Sequence, residues 1–229
     1  SSAPPRDQCR LDHQLICRWS CSFLYVFLAK LIKFGAMFTG IIESMGELVK
    51  MEKEQNNIHF YIQSVLAQEL KIDQSLAHDG VCLTVVDIQG DLYTVTAVHE
   101  TLEKSVLGMW REGRKINLER AMKLGDRLDG HLVQGHVDQV GECINIEDQG
   151  GSWRFDFRFS PKNHSLVIEK GSLCINGASL TVFNVTENSC SVAIIPYTYE
   201  YTNFHQLQPG DQVNLEFDMI GKYVAKSKA

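Results

Sequence analysis

The chain has 229 residues, 44% of them apolar and 22% charged, with a formal net charge of -6; these values suit a globular protein of one or two domains. The acidic balance and dispersed charges exclude the basic stripe that nucleic-acid binding requires. Seven cysteines, an odd number without CxxC or CxxH spacing, speak against a disulfide framework or a zinc site and for free thiols in a reducing, cytoplasmic compartment.

Residues 1–36 stand apart. They hold Cys9, Cys17 and Cys21 and the stretch "SFLYVFLAKLIKF". Its apolar run, 23–29, is far too short to span a bilayer, so no membrane partner is expected. Lys30 and Lys33 interrupt it, and no small-residue cleavage pattern follows. This part reads as a non-homologous extension, either upstream sequence or a weak targeting segment, and Met37 of "MFTGIIE" reads as the start of the folded part. Beyond it, "NIHFYIQS" (57–64), "VCLTVVDI" (81–88) and "YTVTAV" (93–98) are short, β-branched and bounded by Gly, Asn or Asp, which predicts strands. "DIQGDLY" (87–93) predicts a hairpin turn, and "SVLAQEL" (64–70) is one of few helical fragments. In "DGHLVQGHVDQVG" (129–141), His131 and His136 lie five apart. On one regular strand that spacing puts them on opposite faces. A shared metal is therefore not expected, and no carboxylate or thiol accompanies them at metal spacing; one of them suits a base or hydrogen-bonding role. "NHSLVIEKG" (163–171) is a second helical fragment. "CSVAII" (190–195) and "VNLEF" (213–217) predict strands, with a turn at "NVTENSC" (184–190), and "IGKYVAKSKA" from Ile220 predicts a short terminal helix. There is no GxGxxG, P-loop or GxSxG motif.

The chain repeats itself. Shifted by 97 residues, 79–119 aligns without a gap on 176–216 with 11 of 41 positions identical, and "GIIESMGE" from Gly40 matches "GHVDQVGE" from Gly135 at a shift of 95. Two copies of this size indicate two homologous domains rather than a solenoid. They are expected at 37–133 and 134–224, closely apposed, with a tail at 225–229. Regular short strands predict an all-β small barrel or sandwich in each. The most similar phrases are "DGVCLTVVDI" and "NGASLTVFNV". Strand alternation places Cys82 and Thr84, and likewise Ser179 and Thr181, on one face, with Leu83 and Val85, or Leu180 and Val182, on the other. The tight DG and NG steps are expected to let backbone approach a ligand closely.

"MFTGIIE", "GVCLTVV", "GDRLDGHLVQGHVD", "NGASLTV" and "VNLEFDMIGKYV" occur in that order over 37–224, and together they resemble the two-barrel riboflavin synthase family. The resemblance implies two tandem six-stranded Greek-key barrels, each binding one 6,7-dimethyl-8-ribityllumazine. It implies dismutation of two such molecules, without cofactor, into riboflavin and 5-amino-6-(D-ribitylamino)uracil by transfer of a four-carbon unit. Two identical substrates call for similar pockets, and opposite roles call for unlike residues in them, as at Cys82 and Ser179. Carried onto matching positions, the resemblance gives His136, Cys82, Ser179 and Asp218 as catalytic candidates, with Ser75 and His131 behind them. It gives Phe38, Gly40, Ile41 and Ile42, then Cys82, Leu83 and Thr84, then Thr96, Ala97, Val98, His99, Glu100 and Thr101, as substrate contacts in the first half. In the second half it gives Gly135, His136 and Val137, Lys170, Ser179, Leu180 and Thr181, then Ala193, Ile194, Ile195, Pro196, Tyr197 and Thr198. His136 is expected to act as base or proton relay, Ser179 with Asp218 to orient or activate the acceptor ring, and Cys82 to touch the ring or attack it. "PYTYEYTNF" (196–204) departs from the family's PETL-like run, which "HETLEKS" (99–105) keeps, so Tyr197 and Tyr199 are expected to reshape that rim. The family's homotrimer, and association with lumazine synthase, are the implied partners. A non-catalytic lumazine- or flavin-binding relative is the alternative reading.

Overall fold

A computed structural model describes residues 36–227. Six antiparallel strands, β1 (Ser44–Glu54), β2 (Asn57–Gln63), β3 (Ser75–His78), β4 (Val81–Gln89), β5 (Leu92–Ala97) and β6 (Lys115–Arg120), close a barrel in the order β1-β2-β5-β4-β3-β6. The second barrel repeats that order with β7 (Gln139–Asp148), β8 (Trp153–Arg158), β9 (Ser172–Ile175), β10 (Ala178–Phe183), β11 (Ser189–Ile194) and β12 (Gln212–Phe217). In each, three hairpin-linked strands are followed by a long connection that returns the last strand beside the first of the three, which is a Greek key. That connection holds a one-turn helix, α1 (His99–Lys104) or α2 (Pro196–Tyr201), and the chain runs on into α3 (Met219–Ser227). The expected all-β double barrel is what the chain forms. Of the helical fragments, 64–70 and 163–171 hold only short 3-10 segments.

Each barrel is filled by its own apolar residues, among them Phe60, Trp110 and Leu118 in the first and Phe155, Phe157 and Phe204 in the second. The ligand faces therefore lie outside the barrels. Strand alternation holds as read: Leu83, Val85 and Val182 are buried, while Thr84 and Thr181 face solvent. One imidazole sits inside the first barrel. His78 is fully buried, its Nε2 2.9 Å from the Tyr93 hydroxyl and its Nδ1 3.0 Å from the Leu76 carbonyl. Burial without a charged partner pushes it down to about 3 from its ordinary 6.5. Between those values the unfolded chain binds the proton and the folded one does not, so stability rises with pH there, by up to about 1.4 kcal/mol per unit. His78→Gln is expected to flatten that slope, read as the change in urea midpoint between pH 4 and pH 7.

The barrels meet through a buried network of amides. Asn117 Oδ1 accepts from Asn203 N at 2.7 Å, and its counterpart Asn214 Oδ1 accepts from Val106 N at 2.8 Å. Asp79 anchors one side, accepting from Asn117 N and the Asn203 amide and pairing with Arg114. The close approach expected of the DG and NG steps occurs, but toward the other barrel instead of a ligand. A Cβ on Gly80 would lie 2.8 Å from Gly177 N, and one on Gly177 the same distance from Gly80 N.

The arm before each barrel crosses to the other. Gly40 O accepts from Ser179 N of the second barrel at 2.8 Å, and Gly135 O accepts from Cys82 N of the first at 2.9 Å. Ile42 packs on the second core and Val137 on the first. Where the arms pass, Phe38 and Val133 form an antiparallel bridge.

Candidate active site

The crossing arms build the site. Gly135 and Gly40 both have φ +77°, and a Cβ on either would lie 2.5 Å from Cys82 Cβ or 2.6 Å from Ser179 Cβ. Each arm is thus pressed against the residue that differs between the two repeated phrases. Two carboxylates fix the arms. Glu216 Oε1 and Oε2 accept from the backbone N of Gln134 and His136 at 2.7 and 2.8 Å. Glu119, at the matching place on β6, accepts from Thr39 N, the Thr39 hydroxyl and Gly40 N at 2.7, 2.8 and 3.0 Å.

On the first barrel the result is a pocket of about 340 Å³ lined by Val81, Cys82, Glu100, Thr101, Lys104, Ser105, Gly135, His136 and Val137. Six of these are expected contacts; Val81, Lys104 and Ser105 were not read, though the last two simply continue the segment that ends at Thr101. His136 is exposed and lines the same pocket as Cys82. Burial raises the Cys82 thiol above its ordinary value, against a lowering hydrogen bond from Ser75. A protonated thiol is a weak nucleophile, so Cys82 suits ring contact better than attack. Cys82→Ser is expected to keep turnover within about tenfold, because no thiolate is lost; a fall of several hundredfold in riboflavin formation would restore the nucleophile role.

On the second barrel His131 Nδ1 lies 2.6 Å from Ser179 Oγ. His131 is only 8% exposed, and its Nε2 has no hydrogen-bond partner among the described residues. Burial lowers the imidazole, while the Asp218 carboxylate nearby raises it. Asp218 itself accepts from Ile220 N at the start of α3. Ser179 is therefore bonded to His131 and not paired with Asp218, which acts on the imidazole only through its charge. The two histidines part for a reason their spacing did not give: the run is not a strand, and each belongs to the crossing segment and serves a different barrel.

Other expected contacts fall elsewhere. Phe38 is fully buried between the barrels with Ala77, Val133 and Cys174, and its ring edge backs Gly135, so it shapes the pocket from behind. Ala97 and Ile194 are core residues and Leu180 packs against the core, which leaves them backbone contacts. Thr96 is bonded to His59 at 2.8 Å. Lys170 lies over the Phe183 ring at the far end of β10 from Ser179. Val98, His99, Ile195, Pro196, Ile41 and Ala193 are exposed. The rims differ, but of the two tyrosines expected to reshape the second, only Tyr197 is exposed there. The first carries the ion pair Glu100–Lys104 at 2.6 Å; at the equivalent places the second carries Tyr197 and Tyr201, ring centroids 4.7 Å apart, beside Thr198. Tyr199 turns inward and stacks on Trp153 at 3.8 Å. A depression of about 800 Å³ lies around Arg120 and its partners Glu43 and Glu69 and meets this geometry only at Thr39, Ile41 and Glu119. Among the described residues no group of His, Cys, Asp or Glu could hold a metal.

A duplicated barrel in which a crossing arm rests on the same strand of each copy, over a pocket in the first, defines a tandem small-ligand binder. The lumazine binding domain family matches it twice, over residues 39–121 and 134–218. Riboflavin synthase of Bacillus subtilis is 38% identical over 189 residues, 82% of this chain and 88% of that one. Riboflavin synthase of Mycobacterium tuberculosis is 39% identical over 198 residues, 83% and 97% of the two chains. The chain belongs to the riboflavin synthase family. In fold it also resembles LumP, solved in complex with riboflavin, with a TM-score of 0.74 at 20% identity over 79% of this chain and 98% of that one.

Proposed function

We infer that the chain is an enzyme that converts two 6,7-dimethyl-8-ribityllumazines into riboflavin and 5-amino-6-(D-ribitylamino)uracil. The observation that carries this is one arm-on-barrel construction built twice with unlike chemistry: Cys82 and His136 lining the pocket of one barrel, Ser179 bonded to His131 in the other. A dismutation asks for that asymmetry, because one substrate gives up a four-carbon unit and its twin receives it. The 7-methyl group of the lumazine is acidic, since its carbanion delocalises into the ring. His136, exposed at the pocket, takes and returns that proton. Ser179, its hydroxyl held by a neutral imidazole, assists addition at C7 of the other ring. The neutral ribityl chain is met by strand hydroxyls and backbone groups. Most of the acceleration comes from holding the two rings face to face.

The working assembly is a homotrimer in which the first-barrel pocket of one copy faces the second-barrel pocket of the next. Ile220, Tyr223 and Val224, exposed on one side of α3, supply an apolar face for that contact. The enzyme works in the cytoplasm, a reading supported by the free thiols of Cys82, Cys143, Cys174 and Cys190. Lumazine synthase, which makes the substrate, is the partner that supply would favour. Incubating the purified full chain with the lumazine alone, no cofactor added, is expected to yield one riboflavin per two lumazines lost. Tight binding without riboflavin would instead make the chain a carrier.

A further inference from the structure

Glu216 is not among the residues lining the pocket that its arm completes. Glu216 is 2% exposed and Glu119 4%, and each spends both oxygens on backbone N–H groups of an arm that then rests on the opposite barrel. An ionised carboxylate can accept on both oxygens. A protonated one turns an O–H toward one of those N–H groups, and a buried donor left facing a donor is costly. Beside the carboxylates, the arms are held by the single bonds of the Gly40 and Gly135 carbonyls to Ser179 N and Cys82 N, by the Phe38–Val133 bridge and by Ile42 and Val137 on the opposite cores. The barrels do not depend on these bonds, because each barrel closes through its own ladders.

We propose that Glu216 and Glu119 are positioning residues whose ionised carboxylates hold the crossing arms over the pockets of the opposite barrels, so that protonation loosens the site while both barrels stay folded. Glu216 governs His136 above Cys82; Glu119 governs Gly40 and Ile41 beside Ser179. The groups facing Glu216 are Cys174 across the ladder on β9, Cys82 on β4, Asp138 beyond the arm and Lys222 on α3, the last two paired at 2.6 Å. Cys174 also feels Glu119, so the two clamps flank one buried thiol. Burial pushes Glu216 up to about 7, against the lowering hydrogen bonds from the arm, and pushes Glu119 up as well. The clamp on His136 is thus set to open just below neutral pH.

The signs for stability and for activity are opposite. Between the ordinary carboxylate value and about 7 the folded chain holds a proton that the unfolded chain lacks, so this group's contribution to stability grows as pH falls through that window. Turnover falls in the same window, because the arm is released.

The proposal rests on the dismutation reading, and the full chain tests both. Turnover of 6,7-dimethyl-8-ribityllumazine is followed from pH 5 to 9, with circular dichroism and melting curves on the same samples. The wild type is expected to lose rate on an acid limb near pH 7 while remaining folded. Glu216→Gln is expected to be slower at pH 8 by on the order of 100-fold, as a displaced catalytic group would be, and to show a flat profile. Glu216→Asp is expected to regain part of the rate together with the limb. A limb that survives in Glu216→Gln belongs to another group, the His136 imidazole among them, and overturns the proposal, as does a rate within twofold of wild type at pH 8. If Glu216→Gln fails to fold, Glu216→Asp decides: a lowered rate with a shifted limb supports the clamp, and an unchanged profile overturns it. A wild type with no turnover at any pH refutes the dismutation instead. Lumazine affinity by ligand fluorescence over the same range then decides the clamp, loss below pH 7 in wild type alone supporting it and identical titrations overturning it.

Discussion

Gly135→Ala is expected to leave a folded chain that forms riboflavin at a rate lower by on the order of 100-fold or more, the loss typical of a misplaced catalytic group. The new methyl would sit 2.5 Å from Cys82 Cβ and 3.0 Å from the Phe38 ring, at a φ of +77°. An alanine there pays roughly 1–2 kcal/mol for the left-handed backbone and roughly 1–3 kcal/mol for overpacking. That is within the roughly 5–15 kcal/mol that keeps a domain folded, so the barrels survive and the arm moves. Moving it breaks the bond from Cys82 N to Gly135 O and carries His136 away from the pocket. Riboflavin formation and melting temperature measured together check this. Gly40→Ala should do the same at Ser179, where the clash is 2.6 Å. Near-wild-type rates in both would mean that the arms do not build the site.

The second expectation concerns Ser179 and His131. Ser179→Ala and His131→Gln should each lower the rate at saturating lumazine by about 100- to 1,000-fold, the range for loss of a positioned proton-transfer group. The double variant should be little worse than either alone, because the two act as one unit through the 2.6 Å contact. Ser179→Ala also leaves a buried imidazole with neither nitrogen bonded, since Nε2 already lacks a partner, so a stability loss of about 1–3 kcal/mol accompanies it. Turnover within twofold of wild type in Ser179→Ala would remove the hydroxyl from the mechanism. Multiplicative losses in the double variant would separate Ser179 from His131.

What could be read directly from residues was whatever is local or periodic. The strand runs alternate apolar and polar side chains, so they had to put Leu83 and Val85 inward and Cys82 and Thr84 outward wherever the barrel closed. The 97-residue repeat implied two copies of one fold, because the same pattern in the same order can bury its apolar face in the same way. The likeness of "MFTGIIE" and the paired LTV phrases pointed to the chemistry, and six of the nine residues lining the first-barrel pocket were named from it.

The rest was decided by tertiary structure, for reasons of distance along the chain. Nothing in the spacing of "GIIE" or "GHVD" says whether an arm rests on its own barrel or on the other, since both choices satisfy the same local pattern. The crossing is settled only when Gly40 meets Ser179 and Gly135 meets Cys82, 139 and 53 residues apart in sequence. That non-local choice turned the DG and NG steps toward each other instead of a ligand, and brought His131 against Ser179. It made Glu119 and Glu216, visible in "INLE" and "VNLE" only as repeated residues, the clamps of the site. The protonation of Cys82 likewise depends on how deeply the arm of the second barrel covers it. Residue types and their period determined that two barrels would form; the packing of one against the other decided which side chains meet.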